Sequence, residues 1–120
     1  MRVLLVDDSN TMRRIQKNQL ATLGISDVLE AENGEEGFRK LEAGMPVDMI
    51  LLDWNMPVMD GFTLLKKIRA LPQFAGVQII MCTSESEKSR VVEALKAGAN
   101  NYIIKPFEPE ALQKKLGLKK

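Results

Sequence analysis

The sequence predicts an α/β domain, doubly wound, with a parallel sheet covered by helices on both faces. Two observations carry that expectation. Short runs of branched apolar residues alternate with helical patterns five times along 120 residues, the pattern of consecutive βαβ units. Three of the runs end in reactive polar side chains: Asp7 and Asp8 after residues 2–6, Asp53 after 49–52, and Lys105 after 102–104. In a parallel sheet those ends share one edge, where such folds receive ligands.

The expected strands are Arg2–Val6, Asp27–Ala31, Met49–Asp53, Val77–Cys82 and Asn101–Ile104. The first, third and fourth are the most continuously apolar and are expected at the centre, with the second and fifth at the edges. Asn33 with Glu36, and Ser84 with Glu87, are spaced as capping boxes at helix starts. Asp60 is placed to cap the third helix, and Pro109 fits the first turn of the fifth. Gly24 and Gly98 supply stops. Core-facing stripes are expected from Met12, Ile15, Leu20 and Leu23 on the first helix, Leu64, Leu65 and Ile68 on the third, and Val91, Val92 and Leu95 on the fourth.

The length suits one domain spanning residues 1–120. Seventeen Lys and Arg against sixteen Asp and Glu leave a charge of +1, so no global field draws nucleic acid or an anionic membrane, and neither is expected as a partner. The basic end formed by Lys114, Lys115, Lys119 and Lys120 is expected to be a solubilising terminus. Cys82, the only cysteine, is expected to be a buried thiol in a cytoplasmic monomer. Two aspartates cut short the first apolar run, which fits neither a signal peptide nor a membrane span.

The strand-end residues imply a specific chemistry. Two carboxylates ~5 Å apart repel by roughly 3 kcal/mol at an effective dielectric of ~20, a penalty that a hard divalent cation removes. Asp53, held by a buried strand where it meets the loop Trp54-Asn55-Met56-Pro57, can attack an activated phosphoryl group, with Asp7 and Asp8 holding the metal. Oxygen-only ligation suits Mg²⁺, with Mn²⁺ fitting the same ligands. With no His and one Cys, a Zn²⁺ site is not expected. Thr83 is in line to donate its hydroxyl to a phosphoryl oxygen and Lys105 to pair its ammonium with another. The Lys105-Pro106 bond is a place where a cis peptide would aim the lysine inward. Trp54, Met56 and Met59 are expected to form a hydrophobic rim. Taken singly, each strand-end residue also suits a cap, a turn or a solvated surface; jointly, they end four of five strands on one edge.

Val6-Asp7-Asp8, Asp53-Trp54-Asn55-Met56-Pro57, Met59-Asp60-Gly61, Thr83 and Lys105-Pro106-Phe107 resemble the receiver domain of two-component response regulators over the whole chain. Thr11-Met12-Arg13-Arg14-Ile15, Trp54 and Tyr102 are most similar to its stand-alone chemotaxis members. The resemblance implies a flavodoxin-like fold with five helices and strand order 2-1-3-4-5. It also implies that Asp53 accepts phosphate from a sensor histidine kinase. Mg²⁺ would be held by Asp8, Asp53 and the carbonyl of Asn55, with Asp7 acting mainly through water. Thr83 and Lys105 would bind the phosphoryl group and Tyr102 would turn inward. The face made by the fourth helix, fifth strand and fifth helix, including Tyr102, Lys105, Pro106 and Phe107, would change to bind a flagellar motor switch protein. Asn55 and Glu85 would tune phosphate lifetime, and a phosphatase is a further possible partner. Such a protein catalyses its own phosphorylation and dephosphorylation and is not a turnover enzyme.

Ser84, Asn100-Asn101 and a last helix that ends early depart from the chemotaxis pattern, the last of these on the partner face. A single-domain carrier passing phosphate from Asp53 to a histidine phosphotransfer protein stays open as the alternative. A haloacid-dehalogenase-type phosphatase needs a second Asp two residues past its nucleophile, where this chain has Asn55 or Ser9. In a flavodoxin-like FMN carrier, Asp7 and Asp8 would repel the phosphate.

Overall fold

The computed structural model describes residues 1–105 and 107–116, apart from the side chains of residues 85, 86 and 116. In chain order the elements are β1 (Arg2–Val6), α1 (Asn10–Thr22), β2 (Asp27–Ala31), α2 (Gly34–Glu42), β3 (Met49–Asp53), α3 (Gly61–Arg69), β4 (Gln78–Thr83), α4 (Val91–Lys96), β5 (Asn101–Ile104) and α5 (Pro109–Leu116). Short 3₁₀ turns occupy Pro72–Phe74 and Glu85–Arg90. All strand pairings are parallel, in the order β2-β1-β3-β4-β5. The central and edge strands are those expected.

Period-two alternation divides the strands between two cores. Leu4, Val6, Ile50, Leu52, Ile79 and Met81 pack with Phe38, Leu41, Leu64, Leu65, Ile68 and Ala94 from α2, α3 and α4. Val3, Leu5, Met49, Leu51, Ile80, Cys82 and Ile103 face the other way, with Leu20 of α1 and Leu112 of α5. The middle strands are apolar throughout because each of their faces lies under helices.

The caps follow the sequence closely. Asn33 Oδ1 accepts from Glu36 N at 2.8 Å and Asp60 Oδ1 from Thr63 N at 2.8 Å. The second half of the expected Asn33 box does not form: the Glu36 carboxylate faces Lys40 at 3.6 Å instead. Pro109 opens α5, and Gly24 and Gly98 adopt φ of +85° and +115° at helix ends.

Four expectations need correction. β4 runs one residue later than expected, because Val77 N closes the preceding turn on Phe74 O and Thr83 extends the ladder opposite Ile104. Ile15 is 44% exposed on α1, where Arg13 and Gln16 are buried beside Leu20. On α4 Val92 and Leu95 are 59% and 41% exposed, while Val91 and Ala94 face the core. The Ser84–Glu87 capping box begins a 3₁₀ turn rather than an α-helix, which moves the start of α4 and hence the face that it presents.

Candidate functional site

The ladder register brings the strand-end residues together. Asp53 closes β3 opposite Cys82, Thr83 closes β4 opposite Ile104, Lys105 follows β5, and Asp7 and Asp8 follow β1. One carboxylate oxygen from each of Asp7, Asp8 and Asp53 lies within 4.8 Å of the others. Asp7 and Asp53 are buried and Asp8 is exposed. Lys105 Nζ donates to Asp53 Oδ1 at 2.6 Å and lies 3.6 Å from Asp7 Oδ2. The backbone sets this aim, since Lys105 N donates to Thr83 O at 2.6 Å. Thr83 Oγ1 is fully buried and has no hydrogen-bond partner among the described residues.

Burial is the main reason that the Asp53 carboxyl is pushed up from 3.8 to about 6. The Lys105 hydrogen bond opposes the rise and the Asp7 charge adds to it. Burial would depress the Lys105 ammonium, but the bond and charge of Asp53, reinforced by Asp7, hold it above 10.5. At neutral pH the pair is therefore mainly carboxylate and ammonium, in a setting that favours added positive charge.

The loop after Asp53 is shaped by close backbone approaches. Gly61 N donates to Trp54 O at 2.8 Å, and a Cβ on Gly61 would stand 2.1 Å from Asp53 O. Gly34 N donates to Met59 O at 3.2 Å. Between them, Met59 N reaches back to Pro57 O at 2.7 Å, with Val58 at φ +71°.

Trp54 does not join a rim: it is fully buried, stacked on Phe62 at 5.5 Å, with the Arg90 guanidinium 4.3 Å over its ring. Met56 and Met59 are half-buried and pack against the core. Tyr102 is half-buried beneath the Lys115 ammonium, 4.3 Å from its ring centre. Phe107 packs against the α1/α5 core and its carbonyl accepts from Gln19 Nε2 at 2.6 Å. Pro106, Lys119, Lys120 and the Glu85 side chain lie outside the described residues.

One contributor escapes sequence reasoning and another is legible only in part. Arg13 is buried behind the acidic loop, donating to Asp7 O, to Asn10 Oδ1 and, at 2.9 Å, to Glu30 Oε1. Glu87 is legible as the partner of Ser84 N, which it accepts at 3.0 Å. Its second bond, accepted from Asn55 Nδ2, spans a separation that no local spacing signals.

The donor set fits a hard divalent cation: three carboxylates converge, and the buried Asp7 Oδ2 has no hydrogen-bond donor among the described residues. Comparison with known proteins agrees with the architecture. Residues 3–117 match the family model of the response regulator receiver domain. The chain is 54% identical over 116 residues to the chemotaxis protein CheY1 of Helicobacter pylori, covering 97% of this chain and 94% of that protein. It is 53% identical to a CheY homolog of Campylobacter jejuni, covering 97% and 89%. The crystallised chemotaxis protein CheY4 of Vibrio cholerae superposes with a TM-score of 0.86 at 36% identity, covering 97% and 95%. With its strand order, its acidic edge and these matches in agreement, the chain belongs to the response regulator receiver domain family.

Proposed function

We propose that this chain is a phosphorylation-driven switch in chemotaxis, with Asp53 as the phosphoacceptor. The observation that carries the proposal is the convergence on Asp53 of a lysine at 2.6 Å and two further carboxylates, with a buried threonine hydroxyl that has no hydrogen-bond partner among the described residues at the end of the neighbouring strand. An Asp53 oxygen attacks the phosphorus of a phosphohistidine on a sensor kinase. The P–N bond breaks with its electron pair returning to the imidazole, and an acyl phosphate forms. Lys105 then exchanges its carboxylate partner for a phosphoryl oxygen, and the Thr83 hydroxyl supplies a donor to another. Asp8, Asp53 and the Asn55 carbonyl, with Asp7 mainly through water, would hold a Mg²⁺ ion that would supply positive charge against the anionic phosphoryl group.

The signal leaves through Tyr102. Lys105 adjoins β5, so a change in its partner is transmitted to the surface made by α4, β5 and α5. The exposed Val92 and Leu95 on α4 and the half-buried Tyr102 and Phe107 supply apolar contact for a partner. The chemotaxis names of the relatives favour a flagellar motor switch protein as that partner, a cytoplasmic location and a phosphatase that ends the signal.

The test is intact mass after incubation with acetyl phosphate, with Mg²⁺ or with EDTA, for the native chain and Asp53→Asn. The expected result is a single phosphoryl adduct that requires both Mg²⁺ and Asp53; an adduct that persists in Asp53→Asn would overturn the assignment. Capture of a motor switch protein by the phosphorylated form alone would support the output, whereas rapid transfer to a histidine phosphotransfer protein would point to a relay carrier.

A further inference from the structure

Glu87 is 7% exposed, and its carboxylate has no lysine or arginine partner among the described residues. Burying a carboxylate without a cation is costly unless hydrogen bonds satisfy it. Two do: Oε1 accepts from Ser84 N at 3.0 Å and Oε2 from Asn55 Nδ2. The first bond caps the 3₁₀ turn. The second is not needed for capping and reaches across to the residue two positions past Asp53. Arg90, from the end of the same turn, lies 4.3 Å over the ring of Trp54, so two side chains fasten this turn to the segment that follows the acceptor.

The consequence lies in the orientation of an amide. A carboxylate only accepts, so the end of Asn55 that faces Glu87 is its Nδ2, and Oδ1 remains as an acceptor. Asn55 is solvent-exposed, so water reaches its side chain. We infer that Glu87 is a positioning residue for loss of the phosphoryl group from Asp53, holding the Asn55 amide so that Oδ1 accepts a hydrogen bond from the attacking water. This rests on Asp53 being the phosphoacceptor. In the step, the water oxygen bonds to phosphorus, and the P–O bond to Asp53 breaks with its electron pair returning to the carboxylate. The water protons leave with the phosphate. A water held at hydrogen-bond distance by an oriented acceptor needs less reorganisation to attack in line.

The test compares Glu87→Gln, which keeps one acceptor oxygen for the two donors Ser84 N and Asn55 Nδ2, with Glu87→Met, which has a similar length and none. Each is phosphorylated with acetyl phosphate and Mg²⁺, and loss of the adduct is followed by intact mass. The expected result is a lifetime about three- to tenfold longer in Glu87→Met, intermediate in Glu87→Gln, and insensitive to Glu87→Met when Asn55→Ala is already present. In the unphosphorylated, metal-free protein, the Asn55 side-chain amide NMR signal should shift in Glu87→Met and shift less in Glu87→Gln. A normal adduct whose decay ignores Glu87→Met, or an effect that persists undiminished in the Asn55→Ala background, would overturn the inference and leave the role of Asp53 standing. No adduct on the native chain would overturn both.

Discussion

Gly61 shows how tightly single residues hold Asp53. Its Cα lies so near the Asp53 carbonyl that an added methyl would sit 2.1 Å from a backbone oxygen, an atom that cannot turn aside as a flexible side chain would. Gly61→Ala should therefore lower stability by about 2–4 kcal/mol, read from urea unfolding. It should also reduce the yield of the phosphoryl adduct, because relief of the clash moves either Asp53 or the start of α3. A loss below about 0.5 kcal/mol would mean that the loop yields freely. The motif Met59-Asp60-Gly61 is visible in the sequence, but the reason for its glycine is visible only where two backbones meet.

At the scale of elements, polar side chains join pieces that the apolar cores leave loose. Arg69, at the end of α3, donates to Gly98 O at 2.8 Å, Phe74 O at 3.0 Å, Val77 O at 2.7 Å and Asn100 Oδ1 at 2.8 Å. It thereby ties α3 to the turn before β4 and to the turn before β5. A lysine carries a single ammonium and cannot span that fork of acceptors. Arg69→Lys should cost about 2–3 kcal/mol, measured as a lower urea midpoint with an unchanged slope. Glu30 on β2 makes a similar join, meeting Arg13 at 2.9 Å and Lys17 at 3.2 Å from α1. Burial acts to raise its carboxyl, but the hydrogen bonds and charges of Arg13 and Lys17 prevail and hold it below 4.5. The folded state thus binds this proton less readily than the unfolded chain, and the stabilisation is present above the usual carboxylate range and lost as pH falls through the lowered value. Glu30→Gln should therefore lower Tm at pH 7, with the difference from the native chain closing under acid; a difference equally large in acid would show that the ion pairs are not its source.

For the molecule as a whole, Cys82 reports on the integrity of the sheet. It sits in β4, between β3 and β5, almost fully buried, and burial is the main reason that its thiol is pushed up to about 12. A thiol so placed forms little thiolate and meets no reagent while the sheet is intact. Labelling by a thiol-reactive disulfide should be negligible in the native state and should rise with urea along the same slope as global unfolding. Labelling with a weak dependence on urea would reveal a local opening of β4 and β5, the region that the switch proposal requires to be mobile.

The sequence by itself determined the alternating α/β plan, the central and edge strands, the principal caps and the strand-end residues of the site. Those features depend on local periodicity and chain position: apolar runs mark doubly covered strands, and the first residues beyond them fall on one edge. Tertiary structure decided which polar groups are buried. Ile15 looks like core and Arg13 like surface, yet Arg13 is drawn inward by the Asp7 carbonyl and the Glu30 carboxylate. Trp54 is buried because Phe62 and Arg90 arrive from two other segments, and Val92 and Leu95 face outward because the 3₁₀ turn shifts the start of α4. The bond between Asn55 and Glu87 joins residues 32 positions apart. Its partners meet only when β3 and β4 lie side by side, and a pairing made by sheet register leaves no periodic trace in the chain.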